Sequence, residues 1–149
     1  MRQNMNEPII VSACLLGEAC RFDGQGKGNS ELMELLKDKT LIPVCPEVEG
    51  GLPIPRPPAE IKDSGVFREN GEDVSGAFQK GASICTEKAV STHVSQAILK
   101  SRSPACGCRQ VYDGSFSKTL INGDGIFTQH LKSAGITCIS DEDYLSNNS

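Results

Sequence analysis

Ser101-Arg102-Ser103-Pro104-Ala105-Cys106-Gly107-Cys108 follows the short apolar run Ala97-Ile98-Leu99 with only Lys100 between them. The run reads as a buried strand that empties into a cysteine-bearing turn. The same event occurs twice earlier. Ile9-Ile10-Val11-Ser12-Ala13 runs into Cys14, and Leu41-Ile42-Pro43-Val44 runs into Cys45. Apolar runs without alternation mark strands covered on both faces, as in a parallel sheet. Ligands of open α/β sheets bind outside the carboxyl ends of such strands. Neighbouring strands lie about 5 Å apart, so thiols at three such ends are expected to share one pocket.

Working outward, strand one spans Pro8 to Ala13, and a glycine-rich loop with Arg21-Phe22-Asp23-Gly24 leads to a helix. Asn29 or Ser30 caps that helix, which runs to about Lys37 with Leu32, Leu35 and Leu36 on one face. Thr40 to Val44 is strand two, weakened by Pro43. From Cys45 to Pro58 the chain is expected to be rigid and irregular, because five of the eight prolines lie between Pro46 and Pro58. Ala59 to Arg68 reads as a hairpin turning at Asp63-Ser64-Gly65, and a long helix from about Asp73 to His93 follows. Its core stripe is Val74, Ala77, Phe78, Gly81, Cys85, Ala89 and Thr92. Strand three is Ala97 to Lys100. Val111-Tyr112 and Phe116 flank Asp113-Gly114, a second hairpin signal. Asp124 is expected to cap a helix ending at Ala134-Gly135, Ile136 to Ser140 to form a last strand, and the tail from Asp141 to fray. Strands alternating with helices give an α/β fold, a three-layer sandwich with a mostly parallel, Rossmann-like sheet and helices on both faces.

The 149 residues read as a single domain, 1–149, of ordinary globular composition. The net charge of −4 is spread over both halves without a basic run, which argues against a nucleic-acid backbone as partner. Arg2 and the run after Pro8 outline a short signal sequence, but Glu7, Ser12 and Glu18 break it, and no stretch reaches membrane-spanning length. A cytoplasmic location follows, with no membrane partner. Seven cysteines in such a chain are a poor disulfide framework, which leaves metal ligation, redox chemistry or burial.

Cys14, Cys45 and Cys106 each stand at a strand exit beside proline or glycine rather than inside an apolar stripe, which favours ligation over plain burial. Cys85, on a helix core stripe, and Cys138, within the last strand, read as packing. Cys20 is open between facing the site and no role. Cys108 is a substitute ligand or a bystander. The absence of Cys-x-x-Cys counts against a zinc ribbon and against thioredoxin-like redox work. His93 ends a helix and His130 lies within one, so neither neighbours a cysteine motif. Glu47 and Glu49 follow Cys45 closely. Glu47 is a candidate general base or a solvated charge, and Arg56 is either an aimed anion clamp or an exposed charge. Ser103 is an active hydroxyl or a turn former. Asp23, a turn residue first, is carried with Arg56 as a substrate-binding candidate.

Five motifs in order, Val-Ser-Ala-Cys-Leu-Leu-Gly, Arg-Phe-Asp-Gly, Pro-Val-Cys-Pro-Glu, Gly-Leu-Pro-Ile-Pro-Arg-Pro-Pro-Ala-Glu and Lys-Ser-Arg-Ser-Pro-Ala-Cys-Gly, resemble the bacterial thiouracil desulfidase family from Ile9 to about Ser140. The resemblance is to its short form, without a second C-terminal domain. It implies a [4Fe–4S] cluster on Cys14, Cys45 and Cys106 with the fourth iron free for substrate sulfur, and catalytic assistance from Glu47 and Ser103. The chain departs from the family at Ala105, where a serine is usual, and at Cys108, a potential fourth thiolate.

The expected activity is non-redox removal of sulfur from a small thiocarbonyl compound such as thiouracil. A homodimer is a further expectation. Two rivals stand beside it: a cluster carrier or sensor closed by Cys108, and a structural zinc domain.

Overall fold

β1 (Ile9–Ser12) is buried along its whole length, because it runs through the middle of a parallel sheet. The computed structural model describes residues 7–18 and 28–148. Four strands make the main sheet: β1, β2 (Leu41–Val44), β5 (Gln96–Leu99) and β8 (Thr137–Ser140), in the order β2-β1-β5-β8 with every pairing parallel. Register pairs Ser12 with Val44 on one side of β1 and Val11 with Ile98 on the other. The order places the ends of the three strands that precede Cys14, Cys45 and Cys106 side by side.

Alternation along the strands divides the core in two. Ile10, Ala97 and Leu99 face one way, toward Phe78, Ala82, Cys85 and Ala89 of α3 (Ser75–Ser91) and Phe127 and Leu131 of α4 (Ile126–Ser133). Ile9, Val11 and Ile98 face the other, toward Leu32 and Leu36 of α1 (Ser30–Leu36) and Tyr144 and Leu145 of α5 (Asp141–Asn148). The result is the expected three-layer α/β sandwich. Asn29 caps α1, its side chain accepting from Leu32 N at 3.1 Å. Among the described residues no helix is long and apolar enough to cross a membrane.

Several expectations of local structure change. The proline-rich stretch opens with a short helix, α2 (Pro46–Glu49), where Pro46 supplies the fixed φ of a first helical residue. The first hairpin, β3 (Ala59–Lys62) with β4 (Gly65–Arg68), forms as expected. In the second, β6 (Gln110–Tyr112) pairs with β7 (Leu120–Asn122), so Asp113-Gly114 opens a longer loop instead of a tight turn. Glu60 holds that loop by accepting from Gly114 N and Phe116 N. Asp124 does not cap α4. It accepts from Arg109 N and pairs with Lys132, while the first amides of the helix donate to the carbonyls of Pro104 and Ala105. The tail is the ordered helix α5, since Asp141 is buried and accepts from Ser101.

Candidate functional site

β1, β2 and β5 end on one edge of the sheet, and each hands its chain to a cysteine there. β1 passes straight into a single 3₁₀ turn, Ala13–Leu16, that holds Cys14 and is closed by Gly17 at φ 94°. Cys45 is the residue after β2 and the N-cap of α2. Cys106 sits in the loop after β5, where its amide donates to Ser103 Oγ at 3.0 Å. Its thiol is buried and lies close enough to Cys14, Cys45 and Glu47 to feel the charge of each. Burial pushes this thiol well above its ordinary range, and those three neighbours push it the same way; a hydrogen bond with Ser12 pulls against them. Cys14 and Cys45 are half-buried, so the trio runs from the interior to the surface.

Glu47 projects from α2 into the same place. Arg56, only 7 % exposed, donates from Nε to Glu47 Oε1 at 3.1 Å and from Nη1 to Pro53 O at 3.1 Å. Burial raises the Glu47 pKa, and the Arg56 charge and hydrogen bond only partly offset it. Of the two sequence readings of Arg56, the exposed charge is excluded by its burial, and the anion its guanidinium holds is the Glu47 carboxylate.

Ser103 forms the turn that the sequence suggested, its Oγ accepting from the amides of Ala105 and Cys106. A hydroxyl that accepts from both still keeps its own proton to donate. The loop is clamped from two directions. Asp141 accepts from Ser101 N at 2.8 Å and Oγ at 2.6 Å, and Arg102 forks onto Glu142 of α5. On the other side Gly125 N, Ile126 N and Phe127 N donate to the carbonyls of Gly107, Pro104 and Ala105.

The remaining cysteines separate from the trio. Cys108 Sγ donates to the Cys106 carbonyl at 3.7 Å, with Thr128, Asp124, Lys132 and Cys138 as its other neighbours, and burial pushes its thiol up to about 11. Cys138 is pushed up to about 12 by burial and then by Cys108. Cys85 lies in the α3 core as expected, pushed up to about 12, although it does face Cys45 and Glu49. His130 bonds Gln79 of α3, and His93 is exposed past the end of that helix. Cys20 and Asp23 lie outside the described residues.

Among the described residues no three His, Cys, Asp or Glu side chains close around a point tightly enough for a single metal ion. That counts against a structural zinc site, which needs four donors about one ion. The donor chemistry of the trio suits an iron–sulfur cluster, since thiolates are its usual ligands and a four-iron group is wider than one ion. A cavity of about 350 Å³ lies at the opposite sheet edge, lined by Pro8, Ile9, Gln96 and Tyr144, and holds none of the candidate residues. A smaller one of about 220 Å³ borders Cys45, between Ala13, Glu49, Cys85 and Lys88.

A family model described as 2-thiouracil desulfurase matches residues 9–143, which takes in all three cysteine segments. The chain belongs to the 2-thiouracil desulfurase family. A solved structure titled [4Fe-4S]-dependent thiouracil desulfidase TudS is similar throughout: TM-score 0.84 and 38 % identity, over 96 % of this chain and 97 % of that one. The uncharacterized protein YbbK of Bacillus subtilis (strain 168) is 34 % identical over 145 residues, 91 % of this chain and 96 % of its own length. Within this desulfurase-family fold, sequence reasoning assigned no site role to Ser12 or Asp141. Ser12 had a signal, as the one polar side chain in an otherwise apolar strand.

Proposed function

We propose that the chain is a [4Fe–4S]-dependent, non-redox desulfidase that replaces the sulfur of a small thiocarbonyl substrate such as thiouracil with oxygen. The observation that carries it is the convergence of the three strand ends on the Cys106 thiol, with Glu47 beside it. In this reading Cys14, Cys45 and Cys106 hold the cluster. A cluster held by these three cysteines would supply Lewis-acid and sulfur-binding iron chemistry for a C=S group. The overall change is R₂C=S plus water to R₂C=O plus hydrogen sulfide, with no net electron transfer.

The protein's own groups do the proton work. Glu47, made a stronger base by burial while Arg56 favours its ionised form, takes a proton from the attacking water. Arg56 fixes one carboxylate oxygen, Oε1, so the other carries the proton. Ser103 donates its hydroxyl proton to the bound ring and orients it, since both of its backbone donors already fill its acceptor side. The rival of a carrier closed by a fourth thiolate needs Cys108, and its surroundings on the α4 side offer no support. The reading takes 1–149 as one cluster-binding domain, and places it in the cytoplasm, where thiols stay reduced.

The test is anaerobic reconstitution with iron and sulfide, followed by incubation with thiouracil. Brown absorbance, together with uracil and sulfide in equal amounts, is the expected result. A fully reconstituted protein that leaves thiouracil and other thiocarbonyl heterocycles unchanged would overturn it.

A further inference from the structure

Leu99, the last residue of β5, pairs with Ser140, the last residue of β8. Two chain segments therefore leave the sheet side by side, one into the cysteine loop and the other into α5. The first turn of α5 grips that loop at two consecutive residues. Asp141, 5 % exposed, accepts through Oδ1 from Ser101 N at 2.8 Å and from Ser101 Oγ at 2.6 Å, across 40 residues of sequence. A carboxyl oxygen has two lone pairs, so these two donors saturate it. One position on, Glu142 takes the Arg102 guanidinium.

Between Ser101 and Ser103 the chain turns at Arg102, whose φ of 65° is left-handed. A residue with a side chain of this size stays in that region only where its surroundings hold it. The turn delivers Ser103, whose Oγ accepts from the amides of Ala105 and Cys106. Placement thus passes from α5 through Ser101 and Arg102 to the Ser103 hydroxyl and the Cys106 backbone.

We propose that Asp141 is a positioning residue of the desulfidase site, locking the Ser101–Arg102 turn so that Ser103 and Cys106 keep their places. The inference rests on the reading of the site given above. It brings α5 into the machinery, although that helix packs on the opposite face of the sheet from α3 and α4. Without the Asp141 carboxyl, the Ser101 amide would lose its partner in a buried place, which is costly. The loop escapes that cost by opening locally, while the layers of the sandwich stay packed.

The full chain, reduced and metal-free, is alkylated with iodoacetamide under native conditions, and labelling of each cysteine is followed by mass spectrometry. Cys106 reports the loop, and Cys85, buried in the α3 core, reports global opening. In Asp141→Ala, Cys106 is expected to label about 10-fold faster than in the parent, with Cys85 within about twofold. Asp141→Asn keeps an oxygen with two lone pairs and is expected near the parent at both cysteines. After reconstitution, thiouracil turnover per cluster is expected to fall about 10-fold in Asp141→Ala and to stay close to the parent in Asp141→Asn. In Asp141→Ala, parental labelling, joint acceleration of Cys106 and Cys85, or parental turnover would each overturn the inference. Should Asp141→Ala not fold, Ser101→Ala decides, since it removes only the Oγ bond. Labelling of Cys106 alone is then expected to rise about threefold, and a parental rate would overturn the proposal. A fully reconstituted parent that converts no thiocarbonyl compound overturns the desulfidase reading and this inference with it. Failure confined to the variants overturns the inference alone.

Discussion

Arg56 Nε donates to Glu47 Oε1 at 3.1 Å, and neither side chain is more than a fifth exposed. The pair closes the proline-rich stretch back onto α2, nine residues earlier. Two substitutions separate its duties. Glu47→Gln keeps an oxygen for Arg56 but cannot take a proton. It is expected to hold the parental amount of cluster and lose about 10²–10⁴-fold in turnover, the usual contribution of a general base. Arg56→Gln leaves the carboxylate without its cation. It is expected to lower stability by about 2–3 kcal/mol, less than a fully buried pair because Glu47 retains some water contact. Turnover at equal cluster content, and thermal melts, check the two. A Glu47→Gln protein within a few-fold of the parent would remove Glu47 as the base.

The cysteines give a sharper partition. Cys14→Ala, Cys45→Ala and Cys106→Ala are each expected to abolish the visible cluster absorbance. Cys108→Ala is expected to retain both absorbance and turnover, because its thiol faces Thr128 and Cys138 on the α4 side. Its cost is about 1 kcal/mol of stability, an ordinary value for trimming a buried side chain. Iron content per chain after reconstitution is the measurement, and loss of iron in Cys108→Ala would revive the four-thiolate carrier.

What the sequence disclosed and what it hid follow one physical divide. The sheet strands were legible because each carries a short apolar stretch, and in β1 and β5 burial on both faces leaves that mark. The cysteine trio was legible because parallel strands share an edge, so three local observations implied one place. Helices α2 and α5 were missed because neither is held by its own periodicity. Proline at the first position sets α2, and α5 is nucleated by Asp141 reaching back to Ser101. The cap of α4 was misassigned to Asp124 for the same reason. The real acceptors are carbonyls of the cysteine loop, which no local pattern reveals. Arg56 was undecided because its partner lies across a loop whose path the prolines alone do not specify.

Gly81 carries the contact that sets α2 against α3. A Cβ there would fall 1.7 Å from the Pro46 carbonyl oxygen, and one at Gly50 would fall 2.0 Å from that of Ala77. Backbone meets backbone at both points, so nothing flexible can give way. Gly81→Ala is expected to destabilise the protein by about 3 kcal/mol, at the upper end for overpacking, and to impair cluster retention by displacing Cys45 and Glu47. Gly76 lies on the same helix with open space around its Cβ position. Gly76→Ala is therefore expected to gain up to about 1 kcal/mol from helix propensity and lower unfolded-state entropy. Denaturant melts of the two variants check the contrast, and equal effects would mean that the α2–α3 approach is not tight.

The fork between Arg102 and Glu142 fastens the cysteine loop to α5, with Nη1–Oε1 at 2.9 Å and Nη2–Oε2 at 2.6 Å. The bond from Arg102 holds the Glu142 carboxyl below its ordinary value. A depressed folded value means that the contribution is present above the unfolded value, about 4.3, and is lost as pH falls through the folded one. Glu142 is more than half exposed, so screening by water limits the pair to at most about 1 kcal/mol. Glu142→Gln is expected to melt slightly below the parent at pH 7. The gap should close progressively below about pH 4, and should narrow at pH 7 when salt is raised to 1 M. Thermal melts from pH 7 to pH 3 measure it. A gap that persists unchanged at pH 3 would show that the fork acts through packing of the α5 first turn and not through charge.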